Sequence, residues 1–595
     1  MSSTLHVEKK MKPGSLKMST GPKPLGLLLL CLAVIYTTVA VGEMTFDPRL
    51  LGGPWFDKES VLLTTMVTGF AVSCAGAMVL ITRRIVFSTL VTLVVAIVII
   101  LASRTKFSYL GVRLMYQDLL FYLRNQSEIY FFIDHYFEIF IFIIAASIFL
   151  PFALYIFFRI ERITVNRIYS IPLFLIGILF AYIGSEAITP QVKSDIFFRS
   201  AYDQRHLSTL LVSAVAFSEA IDRPMRITGP RAPNVVEGDE YPHSEPDLHE
   251  PRESTYPDII TILHESSIDP GIYFAGEPYQ VPQDFFASGD GVIRRLQVET
   301  FGGRTWISEY GFLLGINASY LGPTYEFLGV IRENRFKNTF PGRLKELGYT
   351  TIANYPSPPT FMNTGRFYRT LGFDIINDPD SLGLRIVENN RPRDRSYYER
   401  VISDLNERFA KSKKNPVFYF VWTTATHYPY STPMHPDLRA DEIVVGDEGA
   451  EYARRQRIAR DDLKWFEGEL RRRFPNRKFL LAGFGDHHPL ITAGYFSESS
   501  GVFKVRDPNE ASNMTYYRIN GINFEADYES LTSQIEIGFL ADSILAAARL
   551  PLGPSFSVRA QLRHRCRGLW LGCADAASVG EANSLLSEGP TSLFK

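Results

Sequence analysis

Glu265, Thr305, His427, Asp486 and His487 combine carboxylates, imidazoles and one hydroxyl, and each follows a short apolar run. Carboxylate plus imidazole is the ligand mixture of a Zn²⁺ or Mn²⁺ site. A threonine at the start of a helix meets free amide donors, a place suited to attack on phosphorus. Residues 478–488 read KFLLAGFGDHH, an apolar strand entering a glycine-flanked turn that carries Asp486, His487 and His488. Glycine lets the chain turn sharply there and leaves room for a ligand. Residues 258–269 read DIITILHESSID, with Glu265 directly after a strand. Neighbours along a strand face opposite ways, so only one of His264 and Glu265 points into a given site, and Glu265 is the choice. In residues 301–315, FGGRTWISEYGFLLG, Thr305 opens a helix and Ser308, a rival hydroxyl, falls one turn inside it. In residues 417–430, VFYFVWTTATHYPY, His427 follows a strand and a polar turn. Each residue alone also has a plainer reading: a capped turn, a surface carboxylate, a threonine N-cap, a structural histidine. Those plainer readings do not explain why every candidate falls at a strand end.

The elements that must position these residues alternate. Residues 259–263, 352–354, 417–422 and 479–482 read as buried strands, and 305–314, 339–347, 396–411 and 452–473 as helices. Such alternation predicts a mainly parallel sheet covered by helices, with ligands beyond the carboxyl ends of its strands. There is no internal repeat. After about residue 550 the pattern weakens into a tail.

The chain has 595 residues and a formal net charge of −1, which gives no argument for a nucleic-acid partner. Its apolar residues are unevenly spread. Runs at 24–41, 61–81, 85–102, 130–160 and 171–188 predict five membrane spans. Lys9, Lys10, Lys12, Lys17 and Lys23 precede the first run; Arg83 and Arg84 separate the second and third; Arg159, Arg162 and Arg167 separate the fourth and fifth. With the tail inside, all three clusters are cytoplasmic and everything after residue 188 is outside. Arg104, Lys106, Arg113 and Arg124 run against this rule, in a loop that also carries aromatic and leucine residues and reads as lying along the membrane. A retained anchor is expected instead of a cleaved signal peptide. Residues 193–221 have helical spacing, and 229–258 read as a linker rich in Pro, Glu and Asp. Cys566 and Cys573, in RCRGLWLGC, are either a disulfide or two free thiols.

The spans, linker and α/β domain together resemble the lipoteichoic acid synthase and phosphoglycerol/phosphoethanolamine transferase group of the alkaline phosphatase (sulfatase-like) superfamily, over about residues 24–550. The resemblance implies a cytoplasmic tail (1–23), a five-helix transmembrane domain (24–188), a juxtamembrane helix and linker (189–257), an extracytoplasmic α/β domain with a mainly parallel sheet (258–550) and a C-terminal tail (551–595). It implies one divalent metal held by Glu265, Thr305, Asp486 and His487, with Mn²⁺ favoured over Zn²⁺ or Mg²⁺. Thr305 would be the nucleophile and His427 the substrate-phosphate histidine. Residues 361–374, FMNTGRFYRTLGFD, resemble the segment that brings an arginine to the head group. Here Thr364 stands at that position, with Asn363 and Arg366 beside it as candidate substrate-binding residues. The implied reaction is transfer of phosphoglycerol from phosphatidylglycerol to a glycan or glycolipid outside a bacterial inner membrane. Phosphoethanolamine transfer is the alternative, together with hydrolysis of a phosphodiester or sulfate ester. GGRTW lacks the Cys/Ser-x-Pro-x-Arg motif of arylsulfatases, and the full donor set argues against a non-catalytic sensor.

Overall fold

The computed structural model describes residues 24–44, 58–110, 113–124, 137–161, 164–165, 167, 170–186, 206–221, 227, 256–321, 325–387, 390–411, 415–495 and 511–595. The N-terminal lysines and most of the 229–258 linker lie outside the described residues. The chain divides into two compact units. One is Met1–Thr45, Gly52–Val98 and Ala146–Ala187; the other is Phe46–Leu51, Ile99–Ala145 and Ile188–Lys595. The divisions at residues 98 and 145 fall inside the helices Ile85–Leu110 and Phe137–Ile160.

The first unit is helical. Helices Pro24–Met44, Lys58–Thr82, Ile85–Leu110, Phe137–Ile160 and Ser170–Glu186 fall on the expected apolar runs. Among the described residues, only Val61–Thr82 and Ile85–Phe107 are long and apolar enough to cross a membrane, so two of the five expected spans are clear. Lys58–Thr82 and Ser170–Glu186 lie in close contact because a glycine sits where they meet. A Cβ on Gly177 would come within 2.5 Å of Ser73 N. The Glu161 carboxylate accepts from Val86 N (3.1 Å) and Phe87 N (2.7 Å), capping the helix Ile85–Leu110. Arg84 Nη1 donates to Glu161 O at 2.8 Å, and Val165 N donates to Arg83 O at 2.8 Å. The arginine turn and the segment after Phe137–Ile160 therefore meet at one end of this unit.

The second unit is built on one eight-stranded sheet in the order β4-β3-β5-β1-β6-β7-β2-β8. The strands are β1 (Asp258–His264), β2 (Arg294–Gln297), β3 (Thr350–Asn354), β4 (Ile375–Asn377), β5 (Val417–Thr423), β6 (Phe479–Gly485), β7 (Met514–Ile522) and β8 (Gln534–Glu536). All run parallel except β7, which pairs antiparallel with β6 and β2. β1 lies between β5 and β6 and is buried along its whole length, which explains its unbroken apolar run. Ile260, Ile262, Tyr419, Val421, Phe479 and Leu481 form one face, packed in a core with Val401 and Leu405 of the helix Asp394–Lys411 and Phe466 of the helix Glu448–Arg473. On the other face Phe312, from the helix Thr305–Leu314, meets Phe420 at 5.8 Å and Phe484 at 5.1 Å. Removing such a buried ring costs about 3–5 kcal/mol.

Two expectations change. The loop between spans three and four contains a helix, Tyr116–Arg124, and two of its bases are internally satisfied. Lys106 pairs with Asp118 at 2.7 Å, and buried Arg113 lies 3.3 Å from the His206 ring. The stretch after residue 550 is folded, with helices Gly553–Arg565 and Ala576–Ser587 and a Cys566–Cys573 disulfide. Its aromatic residues dock on the α/β domain: Trp570 meets Tyr320 at 5.3 Å and Phe594 meets Phe336 at 6.1 Å.

Candidate active site

β1 and β6 are adjacent and parallel, with His264 level with Gly485, so the residues that follow them emerge side by side. Gly485 is required there, because a Cβ would lie 1.9 Å from Ser267 O. Glu265, Asp486 and His487 are buried, and one ligand atom from each lies within 4.8 Å of the others. Thr305 joins them from the other side of the chain turn. Gly302, Gly303 and Arg304 all have positive φ (69°, 149° and 65°), and this sharp bend delivers Thr305 as the first residue of its helix. The bend is anchored by Gly302 N donating to His488 O at 2.8 Å.

Thr305 Oγ1 donates to Glu265 Oε2 at 3.0 Å and lies 3.3 Å from His487 Nε2. His487 Nε2 is 3.2 Å from Glu265 Oε1 and 3.3 Å from Asp486 Oδ2. Neighbouring groups fix each member. Trp422 Nε1 donates to Glu265 Oε2 at 3.0 Å, and the backbone amides of Ser266 (2.7 Å) and His487 (2.9 Å) donate to Asp486 Oδ1. Ser308, the rival hydroxyl, donates to the Asp486 carbonyl at 2.6 Å and is fully buried, a supporting position. The paired neighbours separate as strand alternation requires. His264 turns to the opposite side, 5.3 Å from Phe285, and His488 Nε2 lies 2.8 Å from Met514 O.

Two carboxylates share this water-poor pocket with one imidazole. Burial, and then the Glu265 charge, push the Asp486 carboxyl up to about 7. Burial alone would lower His487, but the charges of Asp486 and Glu265 outweigh it and raise the ring to about 9. Burial alone would raise Glu265, yet its His487 contact and the His427 and His487 charges hold it well below the carboxylate range. Asp486 Oδ2 is buried and makes no hydrogen bond. An orphaned carboxylate oxygen, a second carboxylate, an imidazole and a hydroxyl converging on one point fit a divalent cation.

His427 is half-buried on the loop after β5. Loss of water around its ring, and then the Arg391 charge, hold its pKa down at about 4. Buried Arg455 holds this loop, donating to the carbonyls of His427 (2.9 Å), Pro429 (2.8 Å) and Thr432 (3.0 Å). Asn363 and Arg366 are engaged elsewhere: Asn363 Nδ2 donates to Gly329 O (2.8 Å) and Glu333 Oε2 (3.0 Å), and Arg366 Nε to Glu333 Oε1 (3.2 Å). Thr364 is buried, its hydroxyl 3.3 Å from Tyr355 OH. Sequence reasoning missed Trp422, Arg391 and Arg455. Trp422 stands at the end of an apolar strand and reads as core; the two arginines carry no signal of their own in a chain with many.

Residues 257–502 match the Sulfatase family model. They form a sulfatase-like α/β domain. The span covers Glu265, Thr305, His427, Asp486 and His487. An uncharacterized protein of Haemophilus influenzae is 27% identical over 252 residues, which is 39% of this chain and 44% of that protein. The chain thus matches less than half the length of that relative. Similar solved structures include the phosphoglycerol transferase GacH of Streptococcus pyogenes (16% identity, TM-score 0.44, covering 57% of this chain and 87% of that one). The lipoteichoic acid synthase LtaP of Listeria monocytogenes is similar at 16% identity and TM-score 0.38, over 52% of this chain and 76% of that one. The lipooligosaccharide phosphoethanolamine transferase EptA of Neisseria meningitidis is similar at 11% identity and TM-score 0.48, over 87% and 95% of the two chains.

Proposed function

We propose that this chain is a membrane-anchored phosphotransferase, moving phosphoglycerol from phosphatidylglycerol to an extracytoplasmic glycan or glycolipid through a phosphorylated Thr305. The observation that carries the reading is Thr305 Oγ1 at a helix start, 3.0 Å from Glu265 Oε2 and 3.3 Å from His487 Nε2. Glu265, Thr305, Asp486 and His487 would hold one divalent cation, Mn²⁺ favoured, whose charge when bound lowers the hydroxyl pKa and polarises the phosphoryl group. In the first step Thr305 Oγ1 bonds to phosphorus and the bond to the diacylglycerol oxygen breaks. The threonine proton ends on that released oxygen. In the second step the acceptor oxygen bonds to phosphorus, the Oγ1–phosphorus bond breaks, and the acceptor proton returns to Thr305. His427, uncharged at neutral pH, is the base we assign to carry it.

The sulfatase-like domain would lie outside the cytoplasm, behind five spans whose basic clusters stay inside. The meeting of the Arg83–Arg84 turn with Glu161 and Val165 supports a shared side for two of those clusters. The test is to give the purified full chain fluorescent phosphatidylglycerol or phosphatidylethanolamine, with and without a glycan acceptor. Release of labelled diacylglycerol from phosphatidylglycerol, with glycerophosphate appearing on the glycan by mass spectrometry, supports the reading. Release from phosphatidylethanolamine alone replaces the donor. Release without transfer makes the chain a hydrolase.

A further inference from the structure

Beside the nucleophile turn lies an aromatic cluster that the reaction above does not use. Tyr273 stands 5.2 Å from the ring of His488, the neighbour of His487, and His488 stacks on Phe301 at 5.7 Å. Tyr495 meets Tyr273 at 6.0 Å and Phe274 at 5.3 Å, and Phe274 stacks on Tyr279 at 5.3 Å. The domain's other large rings are mostly buried, but here Tyr273, Phe274 and Tyr279 are half-exposed and Tyr495 is 55% exposed. The cluster is firmly seated. Tyr279 OH donates to Asp447 Oδ2 at 2.7 Å, and a Cβ on Gly449 would lie 3.1 Å from the Tyr279 ring. An apolar surface held open and rigid next to a reactive group is the kind that binds a partner.

We propose that Tyr273, Phe274, Tyr279 and Tyr495 form a platform for neutral sugar units of the acceptor glycan. Sugar rings present C–H faces that lie on aromatic rings, and hydroxyls that need polar partners at the edge. The edge has them: Asp269, Glu277, Gln280, Asp447 and Glu448 border the cluster and are exposed or half-exposed. The same carboxylates argue against the rival occupant, an anionic bilayer surface, which they would repel. Arg295 acts electrostatically on Tyr273, but nearby Arg457 is taken up by Glu442 and by the carbonyls of Pro278 and Gln280. The platform leads to Thr305 through His488 and the Gly302 turn, so a sugar chain lying on it would bring a hydroxyl toward the nucleophile. Its role as acceptor site rests on the transferase reading; sugar binding itself does not.

The experiment uses the full chain carrying Thr305→Ala, in phosphatidylcholine nanodiscs, titrated with maltohexaose, cellohexaose and laminarihexaose and read by saturation-transfer NMR. At least one hexaose should bind. Tyr495→Ala and Phe274→Ala should weaken it about fivefold or more, while Tyr495→Trp retains it. With Thr305 restored, the two alanine variants should raise KM for the glycan and leave acceptor-free diacylglycerol release unchanged. Lack of binding to all three hexaoses, or undiminished binding in both alanine variants, overturns the proposal. So does a loss of binding to phosphatidylglycerol vesicles with sugar binding intact, which would assign the face to the bilayer. Sugar binding lost in the alanine variants, in a chain that releases no diacylglycerol, supports the platform and sinks the transferase reading alone.

Discussion

At the corner between β1 and β6, Glu265, Thr305, Asp486 and His487 are each at most 5% exposed, and each is held by two or more groups. On the segment 361–374 the side chain of Arg366 is 76% exposed and pairs with Glu333. The first region is fixed by strand ends and backbone amides; the Arg366 side chain is held by a single ion pair of the exposed kind, worth little in water. Bond-making at phosphorus needs atoms fixed within fractions of an ångström, which only the first region supplies. Recognition tolerates looser placement, and the aromatic platform near His488 is a better-seated candidate for it than Arg366.

The sharpest way to break this contrast is Thr305→Ala. It should fold normally by circular dichroism and lose roughly 10⁴-fold or more of diacylglycerol release. Undiminished release would remove the nucleophile from the rigid region. Next in size, Asp486→Asn and His487→Ala should lose bound metal and turnover together, by elemental analysis alongside rate. His427→Ala should keep its metal and lose about 10²–10⁴-fold in turnover. Full occupancy in the two ligand variants would show the wrong donor set. Trp422→Phe keeps a ring but removes the hydrogen bond to Glu265, so metal affinity should fall about 10–100-fold in a titration.

Smaller still is a change in pH profile. The Arg391 charge helps to hold His427 low, against Glu265, which raises it, and with His487, which lowers it. Arg391→Gln should therefore raise the His427 pKa and move the acid limb of the rate profile to higher pH; an unmoved limb would free His427 from the base role. Arg366→Ala should change lipid consumption by no more than about twofold, as expected for an exposed pair. A larger loss would return the head group to the 361–374 segment and undo the comparison.

The sequence pattern predicted the rigid region well because periodicity encodes it. β1, β5 and β6 read as unbroken apolar runs, and the helix Thr305–Leu314 begins and ends as expected. Strand alternation chose Glu265 over His264. β2, β4 and β8 escaped notice because three or four residues carry no usable period. β7 was hidden by Arg518 and Asn520, whose polarity reads as surface until Glu467 arrives from the helix Glu448–Arg473 to accept from both at 3.0 Å. The aromatic cluster was illegible for another reason. Its rings come from residues 273–279 and 495, brought together only by the turn after β1 and the 3₁₀ segment Leu490–Tyr495.

The docked C-terminal segment bears on how the protein should be handled. Trp570 also stacks on Phe539 at 5.8 Å, Leu571 N donates to Glu536 Oε1 at 2.6 Å, and Lys337 N donates to Leu593 O at 2.8 Å. Cutting after Leu550 would lay bare Tyr320, Phe336 and Phe539 and strip a partner from a buried carboxylate. A shortened chain of that kind should aggregate or be cleared by proteases, and its inactivity would say nothing about Thr305. Topology reporters and affinity tags therefore belong after residue 595, beyond the last docked ring.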